Sequence, residues 1–343
     1  MKIRLLLIIF ISILASTCKK NEGPVTTKNQ APELSGGVLV LNEGQFNGNN
    51  ASITYRNEKG EVSQDVFYSV NDQLMGDVLQ SATDIKGELY LILNNSQKID
   101  VVGSGDLKVR RSITGFRSPR YILDVEDGKK ALVSNLKFDD GVNEINIVDL
   151  EKGVITGSIP VKGWCEQMLK VDNRIYIANL GMDQVIVLDG KQQRTIPTPP
   201  QPSDLVADAD GNIWILCTGG FQSNQAALCR YSPTQNKLTS TLRFSNPDAF
   251  PSSLVIDESG KRLYFLENGL YAMSIYADSI PVKALLPQTS SFYGIGIQPG
   301  TGNIYVGDAV DYISKGVVHI YSSDGSLLDS FDAGYLPRSF VFR

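Results

Sequence analysis

Residues 201–244 read QPSDLVADADGNIWILCTGGFQSNQAALCRYSPTQNKLTSTLRF and contain four short segments that are apolar or alternate between apolar and polar residues. Turn residues separate these segments: Asp-Ala-Asp-Gly, then Gly-Gly, then Ser-Pro-Thr-Gln-Asn. Branched and aromatic residues between such clusters are typical of β-strands, because they fit a pleated, half-buried surface. The stretch therefore predicts a four-stranded antiparallel meander.

Copies of this unit recur along the chain at a period of about 40–45 residues. The second strand is the easiest to follow, as in GELYLILNN, DNRIYIANL and TGNIYVGDA. The first strand also recurs and is often opened by proline, as in SPRYILDV, QPSDLVAD, FPSSLVID and LPRSFVFR. Because one meander cannot bury both of its faces alone, the copies are expected to pack on one another. The repeats predict an all-β protein, a seven-bladed β-propeller with four antiparallel strands in each blade.

The N-terminal repeat lacks a first strand. Segments 37–44, 51–57 and 62–68 supply only three strands before the next blade begins near Ser81. The missing strand is predicted at residues 337–343, which have first-strand character and follow the last complete repeat. Pairing of this C-terminal strand with the N-terminal blade closes the ring and removes the open sheet edges. A single propeller domain is thus predicted over residues 36–343, with six or eight blades as the alternatives.

The N-terminus differs from the rest of the chain. Residues 1–17 contain Lys2 and Arg4, then an apolar run, then small residues before Cys18, which is the order of a lipoprotein signal peptide. We expect cleavage before Cys18, lipid on its sulfur and anchoring through acyl chains, with ordinary secretion as the alternative. Residues 18–35 combine this lipidated cysteine with a polar stretch that is predicted to be a flexible tether.

The charge balance excludes one class of partner. The formal net charge is −5, and the sequence contains no basic tract. Proteins that bind nucleic acid by electrostatic attraction carry a basic patch or stripe, so no nucleic-acid partner is expected.

The loops place the candidate binding residues on one face. In a propeller, the second-to-third loops and the crossings between blades share one face, and here these segments are long and rich in aromatic residues. Aromatic rings with scattered amides and charged groups suit a large, partly apolar ligand or a protein partner, although single rings could instead cap the blade cores. The candidate ligand-binding residues are Asn42, Glu43, Phe46, Tyr68, Phe116, Arg120, Phe138, Trp164, Phe221, Phe250, Tyr293, Tyr312, Tyr335 and Arg338.

Catalytic motifs are scarce. The single histidine, His319, lies in the apolar segment VVHIY, where a packing role is expected. No catalytic residue, cofactor or metal site is predicted, because neither a His-rich metal site nor a Ser-His-Asp triad can be assembled around one histidine. A metal-dependent lactonase or hydrolase that uses Glu43, Asp77 or Asp308 is the lowest-ranked alternative.

Three cysteines follow the predicted lipidation site. Export would permit disulfides, and Cys217 and Cys229 lie on neighbouring strands of one hairpin, so their pairing is one expectation. Both cysteines also lie in apolar stretches, where buried free thiols are the alternative.

The blade repeats resemble YncE-like, surface-layer seven-bladed propellers. The opening LNEGQFNGNNASITYRN, residues 41–57, resembles the start of lipoprotein propellers of Bacteroidetes, and the pattern is carried by Asn42, Glu43, Gly44, Phe46 and Asn50. Members of that group include surface proteins that capture cobalamin, vitamin B12, and pass it to a TonB-dependent outer-membrane transporter.

The resemblance implies a lipid-anchored, non-enzymatic capture protein of the outer membrane, on the cell surface or on the periplasmic face. Cobalamin would be its ligand and a TonB-dependent transporter its partner. A protein-interaction scaffold or transporter lid without a small-molecule ligand is the alternative.

Overall fold

The strands are numbered in chain order. A computed structural model describes residues 34–137, 142–190, 192–220 and 225–343, and these residues contain 28 strands, the helix α1 (Val66–Asn71) and a short 3-10 helix (Leu180–Met182). The first fifteen strands are β1 (Val38–Asn42), β2 (Ser52–Arg56), β3 (Val62–Ser63), β4 (Leu79–Ile85), β5 (Glu88–Leu93), β6 (Lys98–Gly103), β7 (Val109–Ile113), β8 (Pro119–Asp124), β9 (Lys130–Asn135), β10 (Asn143–Asp149), β11 (Val154–Val161), β12 (Cys165–Val171), β13 (Arg174–Asn179), β14 (Gln184–Asp189) and β15 (Gln192–Pro197). The remaining strands are β16 (Pro202–Ala207), β17 (Ile213–Cys217), β18 (Ala227–Ser232), β19 (Lys237–Arg243), β20 (Ser252–Ile256), β21 (Arg262–Leu266), β22 (Gly269–Ser274), β23 (Leu286–Pro287), β24 (Phe292–Ile297), β25 (Ile304–Asp308), β26 (Val317–Tyr321), β27 (Leu327–Asp332) and β28 (Pro337–Phe342).

These strands form seven four-stranded antiparallel sheets, which confirms the predicted seven-bladed propeller. Blade 1 has the order β28-β1-β2-β3, and blades 2 to 7 each use four consecutive strands that begin with β4, β8, β12, β16, β20 and β24. The first strand of each order is called the inner strand, because the inner strands of successive blades contact one another around a common centre.

The core is divided among the interfaces between blades. Seven hydrophobic clusters are present in the described residues, one between each pair of neighbouring blades, including the pair formed by blades 7 and 1. Middle strands such as β17 are buried along their whole length because blades cover both of their faces. Outer strands such as β11 alternate between exposed and partly buried residues because one face meets solvent.

The C-terminal strand closes the ring as the sequence predicts. Strand β28 pairs antiparallel with β1, with Val38 opposite Phe342 and Leu41 opposite Ser339. Two glycines of blade 7 allow β28 to approach closely: a Cβ atom on Gly294 would lie 1.8 Å from the carbonyl oxygen of Arg338. A Cβ atom on Gly307 would lie 2.0 Å from the carbonyl oxygen next to it on β28. Only residues without a side chain fit there.

One feature at the N-terminal end differs from the sequence-based expectation. The predicted third strand at 62–68 is only two residues long, and α1 follows because it buries Val66 and Phe67 in the core between blades 1 and 2. Leu34 is also buried in this core. The signal peptide 1–17, Cys18 and the tether up to residue 33 lie outside the described residues. Among the described residues, none of the helices has the length and hydropathy of a membrane span.

We predict that Gly294→Ala destabilises the propeller by about 1–3 kcal/mol or more, because the added methyl group forces β28 away from blade 7. The measurement is the free energy of unfolding in urea, followed by circular dichroism. Gly105→Ala is the matched control, since a Cβ atom there meets nothing within 4 Å; it should change stability by less than about 0.5 kcal/mol. Equal stability of the two variants would show that ring closure does not depend on this approach.

Candidate functional site

A β-bulge interrupts each of the seven inner strands near its first residue. The register shifts lie between Leu79 and Ser81 on β4 and at the equivalent places on the other inner strands. A bulge leaves a residue out of the ladder and redirects its side chain. On β12 and β20 the register skips two residues, and on the other five strands it skips one. The first skipped residue of each inner strand belongs to a set that is called the bulge ring: Gln80, Arg120, Glu166, Ser203, Ser253, Tyr293 and Arg338.

The bulge ring lines a central cavity at the end of the propeller where the inner strands begin. Two adjoining pockets with shared lining residues make up this cavity and are called its lobes: a larger one of about 580 Å³ on the side of blades 4 to 7 and a smaller one of about 480 Å³ on the side of blades 1 to 3. Arg120 and Arg338 line both lobes. Both volumes fall within the range of small-molecule sites. A shallow groove of about 770 Å³ lies elsewhere, beside Gly115 and β11.

The first charged group of the cavity is built around Glu43. Arg338 donates from Nη1 to Glu43 Oε2 over 2.6 Å, and the Tyr293 hydroxyl donates to the same oxygen over 2.8 Å. The Arg338 guanidinium also lies 5.8 Å from the centre of the Tyr293 ring. Burial, and then the charge of Glu43, raise the pKa of Tyr293 well above its ordinary value. The phenol is thus held neutral and fixed.

The second charged group joins blades 3 and 4. Arg120 donates from Nε to both oxygens of Glu166 over 3.1 Å, and its Nη2 lies 3.0 Å from Oε1. The indole nitrogen of Trp164 donates to the same carboxylate over 2.5 Å. Because Glu166 is only 6% exposed, this pairing keeps a buried charge compensated and its side chains in place.

Asp204 faces the larger lobe, and no basic side chain among the described residues lies at hydrogen-bonding distance from it. Its Oδ2 accepts a hydrogen bond of 2.5 Å from the Ser203 hydroxyl. Burial raises the pKa of the Asp204 carboxyl, and the hydrogen bond from Ser203 and the positive charge of Arg338 oppose this shift. The larger lobe therefore contains a carboxyl group whose pKa is higher than that of an exposed aspartate.

The backbone is strained just before several inner strands. Val78, Gln201 and Leu336 each precede an inner strand and have φ values of 57°, 59° and 55°. Non-glycine residues rarely adopt this left-handed region, least of all a β-branched residue such as valine. Strained residues cluster at binding and catalytic sites, and here they lie beside the bulges.

The structure brings eight of the predicted site residues to the cavity and places the others elsewhere. Asn42 is fully buried and donates to Ser52 and Thr54 within blade 1. Phe116 is 3% exposed in the core between blades 2 and 3, so it caps a blade interface rather than the cavity. Tyr68 lies on α1, Tyr335 is half-buried in the last crossing, and Phe138 and Phe221 lie outside the described residues. The eight that line the cavity are Glu43, Phe46, Arg120, Trp164, Phe250, Tyr293, Tyr312 and Arg338.

Sequence reasoning missed about half of the bulge ring. Gln80, Glu166, Ser203 and Ser253 were not among the predicted site residues, although all line the cavity. One sequence signal was present: the proline that opens several inner strands is followed directly by a bulge residue, as in Pro119-Arg120, Pro202-Ser203 and Pro337-Arg338. Strands β4, β12 and β24 begin without a proline, so no comparable sequence signal precedes their bulges.

The carboxylates proposed for a hydrolase have separate structural partners. Glu43 is paired with Arg338, and Asp77 accepts from Asn95 over 2.6 Å. Asp308 accepts two backbone N–H groups through Oδ1, and its Oδ2 lies 3.4 Å from His319 Nε2. Across the described parts of the chain, no group of three His, Cys, Asp or Glu residues could hold a metal ion.

The cysteines are buried free thiols. Cys217 pairs with Ala227 and Cys229 with Ile215, so the two cysteines lie diagonally across the hairpin rather than directly opposite. Both are free and buried, so the structure has the free-thiol alternative and not the possible disulfide between them. Burial raises the pKa of Cys165 to about 12, which keeps this thiol protonated and unreactive at neutral pH.

The family model described as "Domain of unknown function (DUF5074)" matches residues 36–343. The chain belongs to this family. The DUF5074 match thus covers all seven blades and the whole bulge ring. No curated protein matches the chain in sequence.

Solved structures similar to this DUF5074 domain show the same fold at low sequence identity. A "quinonprotein alcohol dehydrogenase-like protein" from Bacteroides thetaiotaomicron has a TM-score of 0.68 at 16% identity and covers 91% of this chain and 79% of its own. A protein from Lactobacillus plantarum has a TM-score of 0.65 at 15% identity, with 88% and 97% covered. Hydrazine synthase from Kuenenia stuttgartiensis has a TM-score of 0.60 at 15% identity, with 75% and 90% covered. Such identities establish the fold alone.

We predict that Asp204→Asn makes the protein more stable at neutral pH. Because the pKa of Asp204 is raised on folding, its ionised form disfavours the folded state. The resulting loss of folding stability is absent below the ordinary aspartate pKa of about 3.9. It develops as the pH rises from there through the pKa of Asp204 in the folded state. Thermal unfolding at pH 7 and at the lowest pH that preserves the fold measures the difference, which should vanish at acid pH.

The control for this prediction is Asp172→Asn, an exposed position in the turn that follows β12. Its stability should stay within about 0.5 kcal/mol of the wild type at both pH values. Lower stability of Asp204→Asn at pH 7 would mean that the carboxylate stabilises the fold, contrary to the account of the larger lobe.

Proposed function

We propose that this protein is a non-catalytic binding protein whose ligand occupies the central cavity. The observation that carries the proposal is the convergence of the bulge ring: all seven inner strands direct one redirected side chain to one cavity. Ion pairs and hydrogen bonds hold several of these side chains in place before any ligand arrives. A preformed site loses little ordering entropy on binding, which favours affinity.

The cavity suits a large ligand that has both apolar surface and peripheral polar groups. Four aromatic side chains at the mouth, called the rim aromatics, are exposed by 37–71%: Phe46, Trp164, Phe250 and Tyr312. Below them lie amides, hydroxyls and paired charges. Aromatic edges and faces pack against flat apolar surfaces, while amides and hydroxyls exchange hydrogen bonds with polar substituents.

Cobalamin is our proposed ligand, because a corrin ring combines apolar faces with peripheral amides. In this proposal Cys18 anchors the mature protein to the outer membrane through lipid, and the propeller passes its ligand to a TonB-dependent transporter. The lipid anchor rests on the signal-peptide pattern of residues 1–17 and on Cys18, which lie outside the described residues. The transporter rests on the resemblance to surface propellers of Bacteroidetes.

A second candidate is a scaffold or transporter lid that binds protein through the same face. The exposed rim supports it, since Phe46, Phe250 and Ile313 are 60–74% exposed and large apolar side chains of this kind often mark protein interfaces. A recessed, polar cavity favours a small-molecule ligand over a flat protein interface, so we rank this candidate second.

We predict one-to-one binding when the full chain, purified in a mild non-ionic detergent, is titrated with cyanocobalamin by calorimetry. Phe46→Ala and Phe250→Ala should each weaken binding by roughly tenfold, since each removes one packed ring, worth about 1–2 kcal/mol. Tyr276→Ala is the matched control: Tyr276 is 63% exposed and bonds to Asp210 on the opposite face, so its loss should leave the affinity unchanged.

Absence of heat at every cyanocobalamin concentration would reject this ligand. Binding that is insensitive to Phe46→Ala and Phe250→Ala would reject the rim as the site. In the first case a pull-down with the full chain as bait would test the transporter-lid candidate.

A further inference from the structure

The two lobes of the cavity differ in their charged lining. The smaller lobe is lined by three arginines, Arg117, Arg120 and Arg338, and by one carboxylate, Glu43. The larger lobe shares two of these arginines but adds three carboxylates, which are Glu166, Asp204 and Glu267. The charged side chains that line the smaller lobe are therefore mainly arginines, and the larger lobe has more carboxylates in its lining.

A buried hydrogen-bond donor in the smaller lobe lacks an acceptor. Gln80 is 2% exposed, and its Nε2 has no hydrogen-bond partner among the described residues. An unmade hydrogen bond on a buried donor costs about 1–3 kcal/mol. Gln80 belongs to the bulge ring, so the same bulge that removes it from the β4–β5 ladder directs it to the cavity. Its position at the cavity wall makes this unpaired donor a candidate partner for an acceptor group of a ligand.

The two central arginines also retain donors for a ligand. Arg120 uses Nε and Nη2 on Glu166, and Arg338 uses Nη1 on Glu43. A guanidinium group has five N–H donors in a rigid fork, so each arginine keeps further N–H groups after its carboxylate is satisfied. The carboxylates fix the arginine side chains in position, which prepares the remaining donors for a planar or tetrahedral oxyanion.

We propose that the smaller lobe is an oxyanion subsite, which binds a carboxylate or phosphate group of the ligand through Gln80, Arg120 and Arg338. The proposal rests on the cavity being the ligand site, as argued above, but it does not require the ligand to be cobalamin. It assigns the ligand a polarity: the anionic group lies in the smaller lobe, and hydrogen-bond donors of the ligand face the carboxylates of the larger lobe.

The test uses the full chain in detergent and a built-in reporter. Trp164 lines the smaller lobe, whereas Trp214, the other of the two tryptophans in the sequence, is fully buried in blade 5. Sodium phosphate and, separately, sodium acetate are titrated at constant ionic strength against sodium chloride while tryptophan fluorescence is recorded. We expect a saturable change with at least one of the two anions and none with chloride. The change should be lost in Trp164→Phe, although calorimetry should still detect binding to that variant.

Gln80→Leu is the decisive variant. Removal of the unpaired donor should weaken anion binding on the order of tenfold, the value for a hydrogen bond to a charged group. The same change should leave the unfolding midpoint equal or higher, because a buried unsatisfied group disappears; a merely structural role would lower it. Gln80→Glu should abolish binding through like-charge repulsion. Gln193→Leu, an exposed position on β15, is the control and should bind like the wild type.

Each outcome decides the proposal. Saturable binding of both anions, or of either one alone, that weakens in Gln80→Leu supports the subsite; phosphate alone points to a phosphate group on the ligand, and acetate alone points to a carboxylate. Binding of neither anion, or equal affinity in Gln80→Leu and the wild type, overturns it. Cyanocobalamin binding without anion binding removes the subsite and leaves the proposed function intact. Anion binding without cyanocobalamin binding supports the subsite and the cavity as a ligand site, and rejects cobalamin as the ligand.

Discussion

The structure depends on the pairing of β28 with β1. This contact joins the two ends of the described chain and gives blade 1 its inner strand. It also buries a hydrophobic cluster between blades 7 and 1. It requires that β28 lie directly against the backbone of Gly294 and Gly307. Because every blade packs only on its two neighbours, the positions of all inner strands around the centre follow from this closure.

The β-bulges place the side chains of the candidate site at the ends of the repeated inner strands. The same backbone irregularity recurs in every inner strand, but the side chains it releases differ, and this difference makes the cavity asymmetric. Charged pairs formed by Arg120 and Arg338 stand between the lobes, and serines occupy blades 5 and 6. The repeated blades thus form a rigid scaffold, and the side chains of the bulge ring form an irregular surface on it. Substitutions at single bulge positions can change what this surface binds without a change of fold.

The fold could be predicted from the sequence because its signals are periodic, whereas the site signals are single residues. Proline-opened first strands recur, so even the displaced strand β28 was found. Phe46 and Phe116 both lie in loops of the same face, yet one is 71% exposed and the other 3%. This difference in exposure depends on how each loop folds back over its blade, and the sequence around each phenylalanine does not indicate it. Gln80 and Glu166 were missed for a related reason: a bulge on a strand without proline leaves no mark in composition or alternation.

The most direct test of the central claim, that the bulge ring is the ligand-binding surface, is hydrogen–deuterium exchange of the full chain with and without saturating cyanocobalamin. The account predicts slower exchange at the starts of the inner strands and in the loops that carry Phe46 and Tyr312. Turns on the opposite face, such as the one that contains Asp210, should exchange at unchanged rates. Protection confined to those opposite turns, or none at all at saturation, would contradict the account.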